Sequence, residues 1–144
     1  MWTAETVLVC ALALLPRAAD SFPQIVLVHS RPPDVARNAE GFVRHSEPRI
    51  YVLTDTDAFE RARRSIYRCG ALQALRKIAS VVIHEEWHVR HRGSEPDAYT
   101  AQLAALVQVG AGPGSPLYLE VWRARRAAVR SSRSRPPFLL SGSD

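Results

Sequence analysis

The stretch Ser80–His91 reads SVVIHEEWHVRH and contains the HExxH pattern. Its two histidines, His84 and His88, are four positions apart, and Glu85 directly follows the first. Apolar residues recur at helical spacing through the segment 70–92, so we expect one long helix to carry all three side chains. Positions i and i+4 lie on one helix face, where two imidazoles can share one zinc ion. The carboxylate lies about 100° around the helix, where it can accept a proton from a water that the metal activates.

A catalytic zinc needs a third protein ligand, and the segment after this helix offers candidates. Residues 94–97 read SEPD, which is typical of a helix start with a serine cap and a proline in the first turn. Three candidates stay open at this point: Glu95, Asp97, and His91, which lies about 4.5 Å further along the helix axis than His88.

The motifs HEEWH (84–88) and EPDAY (95–99) resemble the zincin metallopeptidases. Within them the chain looks most like the gluzincin branch, in which a glutamate on a second helix, often in an ExxA pattern, completes the site. It is also similar to a group of small, uncharacterised bacterial proteins that carry HEEWH, a nearby RH and ExxAY. The resemblance covers about a quarter of the chain, roughly 72–106. One departure is the spacing, since gluzincins usually have a much longer loop between the second histidine and the glutamate.

The resemblance implies that His84, His88 and Glu95 bind one zinc ion. It also implies that Glu85 is the general base in the hydrolysis of peptide bonds, so the expected partner is a peptide or protein substrate. We expect Glu86 to face solvent. Several neighbouring side chains are expected to have packing roles, although Tyr99 can also donate a hydrogen bond to an oxyanion.

The rest of the chain predicts an α+β fold. A small antiparallel sheet is expected to pack on the HExxH helix and the helices that follow it, in a zincin-like domain over residues 20–130. The predicted strands are Gln24–His29, Phe42–His45 and Arg49–Thr54, the last two as a hairpin, with either Gln24–His29 or Arg49–Thr54 at the edge that holds the substrate. Further helices are predicted at Asp34–Glu40, Asp55–Arg64, 94–109 and 115–130.

The two ends of the chain differ from this domain. Thr6–Leu15 is apolar and of signal-peptide length, so residues 1–19 are predicted to be a signal peptide of an exported, periplasmic or secreted protein, with cleavage after Ala19. The alternative is a core element at the N-terminus. The Arg-, Ser- and Pro-rich segment 131–144 is predicted to be a disordered tail. No apolar stretch reaches the length of a membrane span.

The charge is unevenly distributed. The chain has 19 basic and 14 acidic residues, and six of the arginines lie in Arg123–Arg135, which contains no acid. The remainder, 13 basic and 14 acidic residues, is nearly neutral, and no nucleic-acid-binding motif is present, so we predict no nucleic-acid partner. Two cysteines exclude a zinc ribbon built on four thiolates.

The predicted function is that of a zinc-dependent metallopeptidase. One alternative is a non-catalytic zinc-binding or regulatory protein of zincin-like fold. Another is a small periplasmic interaction domain without a metal, whose arginine-rich C-terminus binds an acidic partner. The sequence does not indicate an oligomeric state.

Overall fold

A computed structural model describes residues 1–134 of the chain and gives a mixed α+β fold. The elements are α1 (Ala4–Leu12), a single 3₁₀ turn (Ala19–Ser21), β1 (Gln24–Val28), β2 (Gly41–Phe42), β3 (Arg49–Leu53), α2 (Asp57–Arg63), α3 (Leu72–His91), α4 (Glu95–Gln108) and α5 (Pro116–Ser134). The HExxH motif lies on α3, as predicted from its apolar periodicity. The predicted α+β class is confirmed.

The sheet has three strands in the order β1-β3-β2. Strand β2 pairs antiparallel with β3, as the predicted hairpin requires, with Phe42 opposite Tyr51. Strand β1 pairs with β3 in parallel, so the prediction of a purely antiparallel sheet is wrong. The reason is that the connection 29–40 places β2 two strand positions away from β1, which leaves a gap between them. After the turn at 43–48, β3 returns through the gap between the two earlier strands.

The segment Asp34–Glu40 forms turns, so the helix predicted there is wrong. A helix of seven residues gains too few hydrogen bonds to offset its nucleation cost unless tertiary packing supports it. Here the Glu40 side chain instead ion-pairs with Lys77 of α3 at 3.2 Å. That contact holds the end of the loop against the helix that carries the motif.

The main core lies between the sheet and α3. Ile50 and Val52 of β3 are buried against Leu75, Ile78 and Val82 of α3. These three α3 residues recur at the spacing of one helix face, which is why the sequence pattern located them. The main core therefore fixes the sheet on the helix that carries the two histidines.

A second apolar cluster joins α4 and α5. Leu103 and Leu106 of α4 pack with Val121 of α5 and with Ala111 in the connection. The connection is short, so the two helices form an antiparallel hairpin. This hairpin supports the start of α4, where Glu95 lies.

The turn between α3 and α4 is tight. Helix α3 ends at Arg92, which adopts the left-handed conformation (φ 50°), and Ser94 caps α4 by accepting a hydrogen bond from the Asp97 amide. A Cβ at Gly93 would lie 2.2 Å from the Trp87 ring, so a side chain there would have to displace the indole. The turn at 92–94 brings α4 back towards α3 within a few residues.

The N-terminal segment is part of the folded core. Val7, Cys10 and Ala11 of α1 are buried in the main cluster, and Cys10 forms a disulfide with Cys69. This arrangement corresponds to the alternative of a core element at the N-terminus. Removal of residues 1–19 as a signal peptide stays a prediction, and it would also remove the disulfide.

Helix α5 extends to Ser134, four residues into the predicted tail, so the tail prediction is wrong for residues 131–134. The rest of that prediction, residues 135–144, lies outside the described residues. Within residues 1–134, no helix has both the length and the apolar character needed to cross a membrane.

We predict that Cys69→Ser lowers the free energy of unfolding by about 2–4 kcal/mol, because the disulfide closes a loop with a sequence separation of 59 residues. Urea denaturation of the full chain measures the change. Cys10→Ser is the matched control and should give a loss of similar size. A wild-type protein whose stability is unaffected by reducing agent would contradict this role of the disulfide.

Candidate metal centre

The side chains of α3 and α4 converge on one carboxylate oxygen. Nε2 of His84 lies 3.2 Å from Oε1 of Glu95, and Nε2 of His88 contacts the same oxygen. The two imidazoles are 5.1 Å apart between ring centroids. Two histidines one turn apart and an acid from the next helix therefore bring three possible ligand atoms into contact.

The two alternative third ligands lie elsewhere. The ring of His91 stacks on Trp87, with centroids 4.6 Å apart, and its Nδ1 lies 3.2 Å from the Trp87 carbonyl oxygen. The carboxylate of Asp97 accepts a hydrogen bond from the Ser94 hydroxyl at 3.0 Å and belongs to the helix cap. Of the three candidates, Glu95 is the one that meets both imidazoles.

A buried polar chain orients His84. Its Nδ1 lies 2.9 Å from Oε1 of Gln102, whose amide nitrogen donates to the Ser80 hydroxyl at 3.1 Å. The Ser80 hydroxyl in turn donates to the Lys77 carbonyl oxygen at 2.7 Å. Because the hydroxyl proton is used there, Ser80 must accept from Gln102, and the amide oxygen must face the ring. His84 therefore carries a proton on Nδ1, and its Nε2 lone pair is directed at Glu95.

This tautomer leaves a position for a cation. A neutral His84 would point a lone pair at the anionic oxygen of Glu95, which is repulsive unless a proton or a metal ion lies between them. Burial opposes the charged form of His84, but the contact with Glu95 and the charge of Glu85 outweigh it, so the pKa of His84 is raised. Burial would also raise the pKa of Glu95, yet its hydrogen bonds with His84 and His88 lower that pKa to about 2.

Glu85 is placed beside this position without an ion-pair partner. One of its carboxylate oxygens lies within 4.8 Å of a ring nitrogen of His84 and of His88, and the residue is 7% exposed. Among residues 1–134, no hydrogen bond or salt bridge holds its carboxylate. Burial raises the pKa of Glu85 to about 7, against the opposing influence of the two histidines. A carboxyl group with this pKa can take up and release a proton near neutral pH.

Strand β2 forms the wall behind Glu85. A Cβ at Gly41 would lie 3.0 Å from Cγ of Glu85 and 2.9 Å from the Tyr51 carbonyl oxygen. The absence of a side chain at this position thus lets the sheet edge approach the carboxylate. Gly41 is a site-forming residue that the sequence analysis did not identify.

Glu86 does not face solvent, so that prediction is wrong. It is 6% exposed and accepts hydrogen bonds from Arg17 at 2.7 Å and from Arg90 at 3.1 Å. Two guanidinium groups thus neutralise a buried carboxylate within the motif. The ion pair also ties the segment after α1 to the helix that carries the site.

Tyr99 covers His84 from the α4 side, with ring centroids 4.5 Å apart and an edge-to-face geometry. Burial and the nearby carboxylates raise the pKa of Tyr99 to about 12, which keeps its hydroxyl protonated. The opposite side is open, since the Glu95 side chain is 53% exposed. The site is therefore buried on the histidine side and accessible on the glutamate side.

The sequence analysis did not identify Ser80 and Gln102, although the sequence contains a signal for the first of them. Ser80 is one turn before His84, within the apolar face of α3, and Gln102 is a buried amide at 3% exposure. A polar residue at a core position requires a hydrogen-bonding partner, so each predicts a second buried polar group nearby. The sequence does not show that Ser80 of α3 and Gln102 of α4 are each other's partners.

Comparison of the chain with protein-family models, with curated proteins and with solved structures gives no match.

We predict that Gly41→Ala lowers the free energy of unfolding by roughly 1–3 kcal/mol, because the added methyl group must displace backbone or Glu85. Gly112→Ala is the matched control, since a Cβ there meets no atom within 4 Å. Thermal denaturation of both variants measures the difference. Equal stability of the two variants would show that β2 does not pack against the carboxylate.

We predict that Gln102→Leu weakens zinc binding by about 10- to 100-fold, the usual effect of removing a hydrogen-bond partner of a metal-binding histidine. Gln108→Leu, on the exposed end of the same helix, is the control and should bind zinc like the wild type. Competition titration with a zinc chelator gives both affinities. Wild-type affinity in Gln102→Leu would mean that the amide does not orient His84.

Proposed function

We propose that the chain is a zinc-dependent metallopeptidase of zincin-like fold. The observation that carries the proposal is the convergence of the His84 and His88 rings on one oxygen of Glu95, with Glu85 buried and unpaired beside them. A structural role alone does not require this arrangement. It leaves a buried acid without a partner, and it requires a proton or a metal ion between the His84 ring and the Glu95 carboxylate.

The donor set fits zinc. Two imidazole nitrogens and one carboxylate oxygen are a ligand set that catalytic zinc uses, with a further coordination position left open. The half-exposed side chain of Glu95 borders that open side. Zinc bound there would supply Lewis acidity, polarising a substrate carbonyl and making a water molecule more acidic.

The residues around the site would perform the proton transfers. Glu85 in its carboxylate form accepts the proton of the attacking water and passes it to the nitrogen of the leaving amine. Tyr99, which keeps its proton, is available as a hydrogen-bond donor to the oxyanion of the tetrahedral species.

The sheet edge near the site is β2. The expectation that Arg49–Thr54 is an edge strand is wrong, because β3 is the central strand of the sheet. Strand β1 is an edge, as expected, but it lies on the far side of β3 from β2. Since Gly41 of β2 adjoins Glu85, we propose that an extended peptide lies along this edge, held by main-chain hydrogen bonds.

Export is the second part of the proposal. The disulfide between Cys10 and Cys69 is compatible with an oxidising compartment such as the bacterial periplasm or the extracellular space. If the protein is exported with residues 1–19 attached, the disulfide persists in the mature chain. Intact mass measured without reductant distinguishes a retained from a removed N-terminal segment.

We predict that the full chain binds one zinc ion and that Glu95→Ala weakens this binding by at least about 10-fold, since a direct ligand is lost. Asp97→Ala is the matched control from the same helix turn and should retain zinc. Elemental analysis after dialysis, followed by chelator competition, measures both. Loss of metal in Asp97→Ala alone would refute Glu95 as the ligand.

Glu85→Gln separates catalysis from binding. The variant should retain zinc and lose cleavage of a peptide library by roughly 10²- to 10⁴-fold in kcat, the usual range for a general base. If the wild type binds one zinc but neither protein cleaves any peptide, the chain is a non-catalytic zinc-binding protein. Absence of zinc from protein that rebinds none would overturn the metal centre itself.

A further inference from the structure

Helix α5 presents a row of arginines from its middle to its C-terminal end. Four of them, Arg123, Arg126, Arg130 and Arg133, are exposed and recur at intervals of three and four residues, which places them along one helix face. Within residues 1–134, no carboxylate forms a salt bridge with any of these four. We call this row the arginine stripe.

The row lies at the same end of the helical hairpin as the metal centre. Arg125 of α5 donates to the Thr100 hydroxyl of α4 at 2.8 Å, which sets the register of the two antiparallel helices. From that contact, Glu95 lies five residues back along α4, and Arg130 lies five residues forward along α5. At 1.5 Å per residue, both are about 7.5 Å from the contact in the same direction. The C-terminal part of the row is therefore level with Glu95 along the axis of the hairpin.

Part of the surface is ordered before any partner binds. The guanidinium of Arg126 lies over the Trp122 ring, 4.9 Å from its centroid, and Trp122 is itself 39% exposed. Stacking limits the freedom of this side chain, so less entropy is lost when it binds an anion. Leu119, at 38% exposure, is one turn before Trp122 and adds apolar area.

We propose that the arginine stripe binds an acidic segment of the peptide or protein substrate, outside the bond that is cleaved. The charge supports this occupant: five arginines and no acid lie between Arg123 and Arg133, while the rest of the chain is close to neutral. In naming the partner a substrate, the inference rests on the proposed peptidase function. Binding at the stripe does not depend on catalysis.

An acidic polypeptide fits this surface better than a membrane does. The apolar residues of α5, including Val121 and Leu117, are packed against α4. Only Leu119 and Trp122 remain as exposed large hydrophobic residues on α5. An interfacial helix needs a continuous apolar face to enter the lipid headgroups, and here that face is already used.

The test is binding of a fluorescein-labelled oligoglutamate peptide to the full chain carrying Glu85→Gln, measured by anisotropy at low salt. The double variant Arg126→Ala/Arg130→Ala should bind roughly 3- to 30-fold more weakly, the effect of losing two exposed ion pairs. The matched control, Arg37→Ala/Arg68→Ala, removes the same charge at exposed positions outside α5. Affinity should also fall as salt is added.

Three outcomes would overturn the proposal. The first is an equal loss of affinity in the two double variants, which would mean that only net charge matters. The second is tighter binding to phosphatidylserine-containing vesicles than to the peptide, which would favour a membrane surface. The third is tighter binding to duplex DNA, which would favour a nucleic-acid partner.

Cleavage then tests the link to the site. This experiment uses proteins that retain Glu85. For a peptide substrate with an acidic extension, Arg126→Ala/Arg130→Ala should show a higher KM than the wild type and an unchanged kcat. The same peptide with a neutral extension should show no change in KM. Selective peptide binding without any cleavage would refute the peptidase function and retain the docking surface. Cleavage with equal KM values for both extensions would refute the docking of substrate.

Discussion

The candidate metal centre depends on the contact of two imidazoles with one carboxylate oxygen. His84 and His88 are fixed relative to each other by one helix, but Glu95 reaches them only because α4 reverses directly after α3. The turn at 92–94, where Gly93 lies close to Trp87, makes that reversal. The ligand geometry thus depends on a backbone turn outside the motif itself.

The surrounding elements hold the site at a cost in stability. Glu85 is largely buried, which raises its pKa to about 7 and so disfavours the ionised carboxylate in the folded protein. The adjacent Glu86, in contrast, has two charged partners, because Arg17 and Arg90 donate hydrogen bonds to its carboxylate. One buried acid is therefore paired with two arginines, while its neighbour on the same helix has no salt-bridge partner among residues 1–134.

The N-terminal segment is linked to the site through this second acid. Helix α1 packs into the main core, the disulfide joins Cys10 to Cys69 shortly before α3, and Arg17 binds Glu86 on α3. The C-terminal hairpin adds the other support, because Gln102 of α4 orients His84. Segments from both ends of the described chain thus position the central helix.

The sequence by itself determined the local parts of this protein. The apolar periodicity of α3, the cap at Ser94 and the i, i+4 spacing of His84 and His88 depend on neighbouring residues, and each was predicted correctly. Tertiary structure decided the remainder, because it depends on contacts between distant segments. These are the parallel pairing of β1 with β3, the burial of Glu86 by Arg17 and the approach of Gly41 to Glu85. No local pattern encodes such contacts, since strand order and ion-pair partners are set by how the whole chain closes its core.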